Sequence, residues 1–213
     1  MAISFDSASV GIRAPSGAGP LTFSHTVTGS NTVLFVGCFA TAGDVVTGIT
    51  YNSISLTQVS KVTSGGETTY LYYLIAPTTG ANNISVSWTG NSVVRAHGAS
   101  YTGAKQSGVP DASATNNNTS TTIATTLTTI ADNCWTIVMA RCQGDITAGA
   151  GTVLRGVSAT SNILDSNSVT TPAGSKTLNV TSSASGTNGT VMASFAPAPA
   201  GSSSIPDVRL FFQ

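Results

Sequence analysis

Residues 21–40 read Leu-Thr-Phe-Ser-His-Thr-Val-Thr-Gly-Ser-Asn-Thr-Val-Leu-Phe-Val-Gly-Cys-Phe-Ala, and they decide the fold class. Leu21, Phe23, His25 and Val27 alternate with Thr22, Ser24, Thr26 and Thr28. That period of two belongs to a strand with one buried and one wet face. Gly29-Ser30-Asn31 supplies a short turn, because Gly and Asn tolerate positive φ. Residues 33–39 are apolar at nearly every position, as in a strand covered on both faces. A one-sided strand feeding a two-sided one implies a hairpin entering the middle of a packed β structure.

The same grammar extends outward. Residues 2–9 form a first strand with Ile3 and Phe5 inward, and 49–51 and 54–57 flank a tight Asn52-Ser53 turn. The strand over 68–76 divides Leu71, Tyr73 and Ile75 from Tyr70, Tyr72 and Leu74, and Pro77 ends it. In 83–89, Ile84, Val86 and Trp88 alternate with serines, and 93–102 follows as another strand. The longest polar break, 103–118, holds Pro110-Asp111 and Asn116-Asn117-Asn118. Equal strand spacing on its two sides favours a crossover within one domain over a linker. Beyond it come a Thr-rich strand over 119–130, pegged by Ile123 and Leu127, and a second fully apolar run, 134–140. That run is the expected core partner of 33–39. Weaker strands lie around 152–157, 162–169, 176–181 and 189–196, and no segment has a helical period. The reading is an all-β chain, an antiparallel β-sandwich of jelly-roll-like type over 1–196.

Only 8% of the 213 residues are charged, eight basic against eight acidic, where ordinary domains carry roughly a quarter. The surface is therefore built from Ser, Thr, Asn and Gly. No basic run suits nucleic acid, and no apolar stretch is long enough for membrane insertion. Strand alternation begins at the first residues, so no signal peptide is expected. A neutral surface has little colloidal repulsion, which fits either a member of an assembly or a Thr/Ser-rich extracellular-type domain. Cys134 and Cys142 sit in one extended run, too far apart to pair. Cys38 has at most one of them as a partner, and buried free thiols are the expected state.

Candidate chemistry is sparse. His25 lies on the apolar face of its strand, as a core or interface histidine or else as a ligand or general base. His97 has Arg95 two residues before it on the same face. The carboxylates are scattered singly, no G-x-S-x-G elbow singles out a serine, and Gly149-Ala150-Gly151 reads as a turn. No metal site and no cofactor is expected. Tyr70, Tyr72 and Trp88, with Tyr73 and Tyr101, are the main aromatic concentration, serving either packing or a glycan or partner interface. Residues 197–204 have linker composition. They lead to an apolar peg, Ile205, Val208, Leu210, Phe211 and Phe212, for which the readings are docking in cis, docking on another chain, or an unordered tail.

The pieces "LTFSHTVTGSNTVLFVG", "VTGITYNSISLTQVS", "TTYLYYLIAPTTGANNISVSWTG", "ASYTGAKQ" and "DNCWTIVMA" resemble, in their order, a β-sandwich family of bacteriophage virion accessory proteins and bacterial surface modules. The resemblance spans about 1–196 and brings no catalytic motif. It implies a non-enzymatic structural component of a bacteriophage particle, in capsid decoration, tail or fibre. Such a protein is made in the host cytoplasm and carried in the virion, with other virion proteins and its own copies as partners. The alternative it implies is an adhesin module recognising a cell-surface glycan.

Overall fold

The computed structural model describes residues 1–11, 16–156 and 160–200, and among them all regular structure is strand. The chain first lays down β1 (Ser4–Val10), β2 (Leu21–Val27), β3 (Val33–Ala40), β4 (Val46–Tyr51) and β5 (Ile54–Ser55). Then come β6 (Thr57–Ser64), β7 (Glu67–Ile75), β8 (Gly80–Trp88) and β9 (Val94–Thr102). These strands build a first inner sheet, β1-β9-β3-β7-β6, and a first outer sheet, β2-β8-β4-β5. Pairing is nested and antiparallel: β1 with β9, β2 with β8, β3 with β7, β4 with β5. Early strands are thereby brought back beside late ones.

The remainder of the chain does the same again. β10 (Ala112–Asn118), β11 (Thr122–Thr128), β12 (Trp135–Arg141) and β13 (Ile146–Ala148) are followed by β14 (Val153–Leu154) and β15 (Ser161–Asp165). β16 (Ser175–Ser182) and β17 (Asn188–Phe195) complete the set. The second inner sheet runs β10-β17-β12-β15-β14 and the second outer sheet β11-β16-β13. With β10 standing for β1, β17 for β9, β12 for β3, β15 for β7 and β14 for β6, the two inner sheets have one order. The fold is thus duplicated within one chain.

Register makes the duplication residue by residue. Leu21 faces Val86 as Ile123 faces Val180, and Val33 faces Tyr101 as Trp135 faces Phe195. One constant shift carries Leu21, Asn31 and Val33 onto Ile123, Asn133 and Trp135; Asn31 and Asn133 both have positive φ, 50° and 61°. A second constant shift carries Gly80, Ile84, Val86 and Ala99-Ser100-Tyr101 onto Gly174, Leu178, Val180 and Ala193-Ser194-Phe195. Even a loop hydrogen bond recurs: Ala76 N–H donates to the Thr32 carbonyl at 3.0 Å, and Thr170 N–H to that of Cys134 at 2.8 Å.

Three cores separate four layers. Phe23, Tyr51, Ile84 and Trp88 belong to the one between the first outer and inner sheets. Phe35, Tyr101, Met139 and Phe195 fill the space between the two inner sheets, and Ile123, Val138 and Leu178 lie beyond. The fully apolar runs follow from this layering. β3 and β12 occupy the middle of the two inner sheets, dry on both faces.

The two copies pack through equivalent positions. A Cβ on Gly37 would lie 2.5 Å from Sδ of Met139, its counterpart. The Arg141 guanidinium sits 4.9 Å above the ring of Phe39, and Tyr101 lies 5.0 Å from Phe195. Position meeting its own equivalent is the signature of a two-fold relation. Edges agree: Arg155, beside β14, covers Phe5 of β1, while Asn117 of β10 bonds the Thr63 carbonyl of β6.

Two expectations are corrected here. Residues 1–196 form two sandwiches back to back rather than one two-sheet sandwich, because equal strand spacing across the polar break marks a repeat and not a continuation. Of the break itself, 112–118 is strand β10; its Asn-rich sequence is held by the full ladder with β17.

Candidate functional site

The aromatic residues nominated from sequence lie inside the first sandwich. Tyr70, Tyr72 and Trp88 are 0%, 6% and 7% exposed and share one core cluster. Their polar tips are used internally. The Tyr70 hydroxyl donates to the Asp44 carboxylate at 3.0 Å, that of Tyr72 to Gln58 Oε1 at 2.9 Å, and Trp88 Nε1–H to the Gly17 carbonyl at 2.9 Å. A sugar needs an open ring face to stack on, so the expected aromatic platform is not formed. An inner-sheet strand is dry on both faces, and so the alternation of β7 carries no wet side. The peg residues Ile205, Val208, Leu210, Phe211 and Phe212 lie outside the described residues.

His25 is buried among hydroxyls. Its Nδ1 is 2.9 Å from Ser9 Oγ and its Nε2 is 3.1 Å from Ser100 Oγ. Ser100 in turn donates to Asp6 Oδ2 at 2.7 Å, and Asp6 accepts from the Thr28 N–H at 2.9 Å. Burial drives the imidazole pKa down to about 4, with only partial compensation from Asp6. Burial also acts on Asp6 in the upward direction, but bonds from Thr28 and Ser100 outweigh it and leave that carboxyl lowered. A serine hydrolase needs the carboxylate on the far nitrogen of the histidine. Here it binds the serine instead, which points the Ser100 proton away from His25. The cluster ties β1 and β9 to β2.

The second copy supplies a comparison within the molecule. Where the first has Ser7, Ser9 and His25, the equivalent positions are Ala112, Ala114 and Leu127, all packed on the third core. The fold closes either way, so the polar set is a variation on the sandwich rather than a requirement of it.

Further polar groups pin the two copies together. Asp165, fully buried, accepts from Arg155 Nε at 2.6 Å and from the Tyr101 hydroxyl at 2.7 Å. His97 Nε2 lies 3.0 Å from Ser161 Oγ, and its pKa falls to about 3 through burial and the charge of Arg95. Arg141 Nη2 donates to Glu67 Oε1 at 3.1 Å beside a cleft of about 290 Å³ that Arg95 also lines. Cys38, Cys134 and Cys142 are buried and free, and burial raises all three thiols, the latter two to about 12. Thiols so held are poor nucleophiles at neutral pH. Among the described residues, no three His, Cys, Asp or Glu side chains gather as metal ligands.

The first outer sheet has a different character on its solvent side. Two adjoining hollows of about 410 and 550 Å³ share Thr50 and follow β4. One is lined by Thr22, Asn52, Asn83 and Ser85, the other by Gly48, Ser55, Gln58 and Ser87. Asn52 and Ser53 form the tight turn at one end, with φ of 48° and 64°. Left-handed φ at both central positions is the hairpin geometry that favours Asn-Gly, so Ser53 is strained where glycine would not be. Ser53→Gly is expected to stabilise the protein by about 1 kcal/mol, read as a higher denaturant midpoint. A lower midpoint would show that the Ser53 side chain holds the turn.

The sequence did not single out this surface, since it contains no charge or motif and the one ring that lines it, Tyr72, is buried. Its signals were Gly48 on an outward strand position and the Asn52-Ser53 turn. Compared with known proteins, the chain matches no family model, no curated protein and no solved structure.

Proposed function

We propose that this chain is a non-enzymatic structural component of a bacteriophage particle, decorating the capsid or forming part of a tail or fibre. It works through contacts with other virion proteins and with its own copies. The observation that carries the reading is where the reactive side chains are used. Both histidines and the Asp165–Arg155 pair are spent on contacts between strands and layers, and all three thiols are buried and free. The surface is left to Ser, Thr, Asn and Gly with a net charge of zero, a composition that resists association weakly. The order of strands and turns that resembles virion accessory proteins points the same way. Release by lysis would carry such a protein out of the cell in the particle.

Antibodies against the full chain are expected to label particles released by lysis, at a regular copy number in electron micrographs. Deleting 197–213 should strip that label if the apolar peg seats on a partner. Recovery of the chain only as a free monomer, with turnover on a broad ester and glycoside panel, would overturn the reading.

A further inference from the structure

We propose that the solvent face of the first outer sheet is a binding trough for a neutral oligosaccharide. From Gly48 to Asn52 the floor follows one strand for about 13 Å at ~3.3 Å per residue, room for more than one sugar ring. Thr22, Thr50, Asn52, Asn83, Ser85 and Ser87 present hydroxyls and amides along it. Such groups both donate and accept, which matches a ligand whose own surface is hydroxyl. No Lys, Arg, Asp or Glu lines either hollow, so an acidic or basic ligand would be desolvated there without a counter-charge. At one end the buried side chains of Leu56 and Tyr72 close the hollow.

The duplicated fold argues that the trough is an addition. β4 has six residues, whereas its counterpart β13 has three. The second sandwich closes its core without that extra length, so closure does not explain it in the first. Strain at Ser53, beside the trough, is of the kind that accompanies binding sites. The assignment stands apart from the particle reading: a free protein with this surface would take the same ligand.

A glycan array with neutral gluco-, galacto-, manno- and N-acetylated oligosaccharides beside charged ones tests it on the full chain. An added Cβ at Gly48 meets nothing within 4 Å, so the side chain of Gly48→Trp starts into open space and is placed to fill the trough. Asn83→Ala, on an exposed position, is the milder second variant. Saturable binding to a neutral class is expected, weakened at least tenfold by Gly48→Trp and measurably by Asn83→Ala, with thermal midpoints unchanged. Silence across the array, binding confined to charged glycans, or binding that neither variant alters would each overturn the proposal.

Discussion

Gly37→Met is expected to lower the thermal midpoint by about 10 °C or more, and Met139→Gly added to it to restore at least half of that loss. Gly37 lies in β3 at the centre of the first inner sheet, against Met139 of β12. Its backbone is ordinary strand; what it lacks is space. A Cβ there would stand 2.5 Å from Sδ and 2.6 Å from Cγ of Met139. Extra atoms in a packed core cost about 1–3 kcal/mol where neighbours can yield. Here the neighbour is a fully buried thioether between two sheets, so the cost lies above that range. For a chain of this length each kcal/mol moves the midpoint by roughly 2–4 °C. Met139→Gly alone opens a cavity and is expected to cost about 2–5 kcal/mol. The double variant moves the thioether across the two-fold relation into the equivalent place. Strong non-additivity measures the contact directly; losses that simply add would show that the two residues do not share one space.

This pair is complementary across the two-fold relation. Two first copies face to face would set Gly37 against Gly37 and leave a void, and two second copies would set Met139 against Met139. The facing pairs Gly37–Met139 and Phe39–Arg141 are unlike, so the contact between the two copies is complementary rather than identical.

How much of this was legible follows from the kinds of pattern involved. Alternation in β2, β8 and β11 placed Phe23, Ile84 and Ile123 inward, and these are buried. The split of β7 into two faces was right in membership: Leu71 joins the central core and Tyr70 and Tyr72 the first. Which face was wet could not be read, because a strand covered twice has none. The repeat escaped because few identities survive, among them Asn31 and Asn133, Val36 and Val138, Gly80 and Gly174, Val86 and Val180, and Ala99-Ser100 and Ala193-Ser194. At other positions the copies keep only size and apolar character, as with Ile84 and Leu178 or Tyr101 and Phe195, or keep neither, as with Gly37 and Met139 or His25 and Leu127. β10 was missed for a related reason. Its ladder is backbone, and nothing apolar announces it.

Acid is expected to unfold this protein earlier than its carboxylates alone would allow. The imidazoles of His25 and His97 hold pKa values near about 4 and about 3 in the fold, lowered first by burial. An unfolded histidine takes its proton near 6.5. Between those values the unfolded chain binds protons that the folded chain refuses, so stability falls as pH drops. It is complete above about pH 6.5, declines through the window down to about pH 4 for His25, and continues to about pH 3 for His97. At roughly 1.4 kcal/mol per pKa unit, the pair removes on the order of several kcal/mol by pH 4. Asp6, lowered in the fold, acts in the same sense further down. Denaturant midpoints should be level from pH 8 to 7 and then fall steadily, while NMR shows neither imidazole titrating above pH 5 in the folded protein. The triple variant Ser7→Ala, Ser9→Ala, His25→Leu imports the apolar set of the second copy. It is expected to keep the fold and remove the His25 share of the slope, leaving that of His97. An imidazole titrating near 6.5 in the native state, or midpoints level to pH 4.5, would mean that these rings take up protons without opening the layers they join.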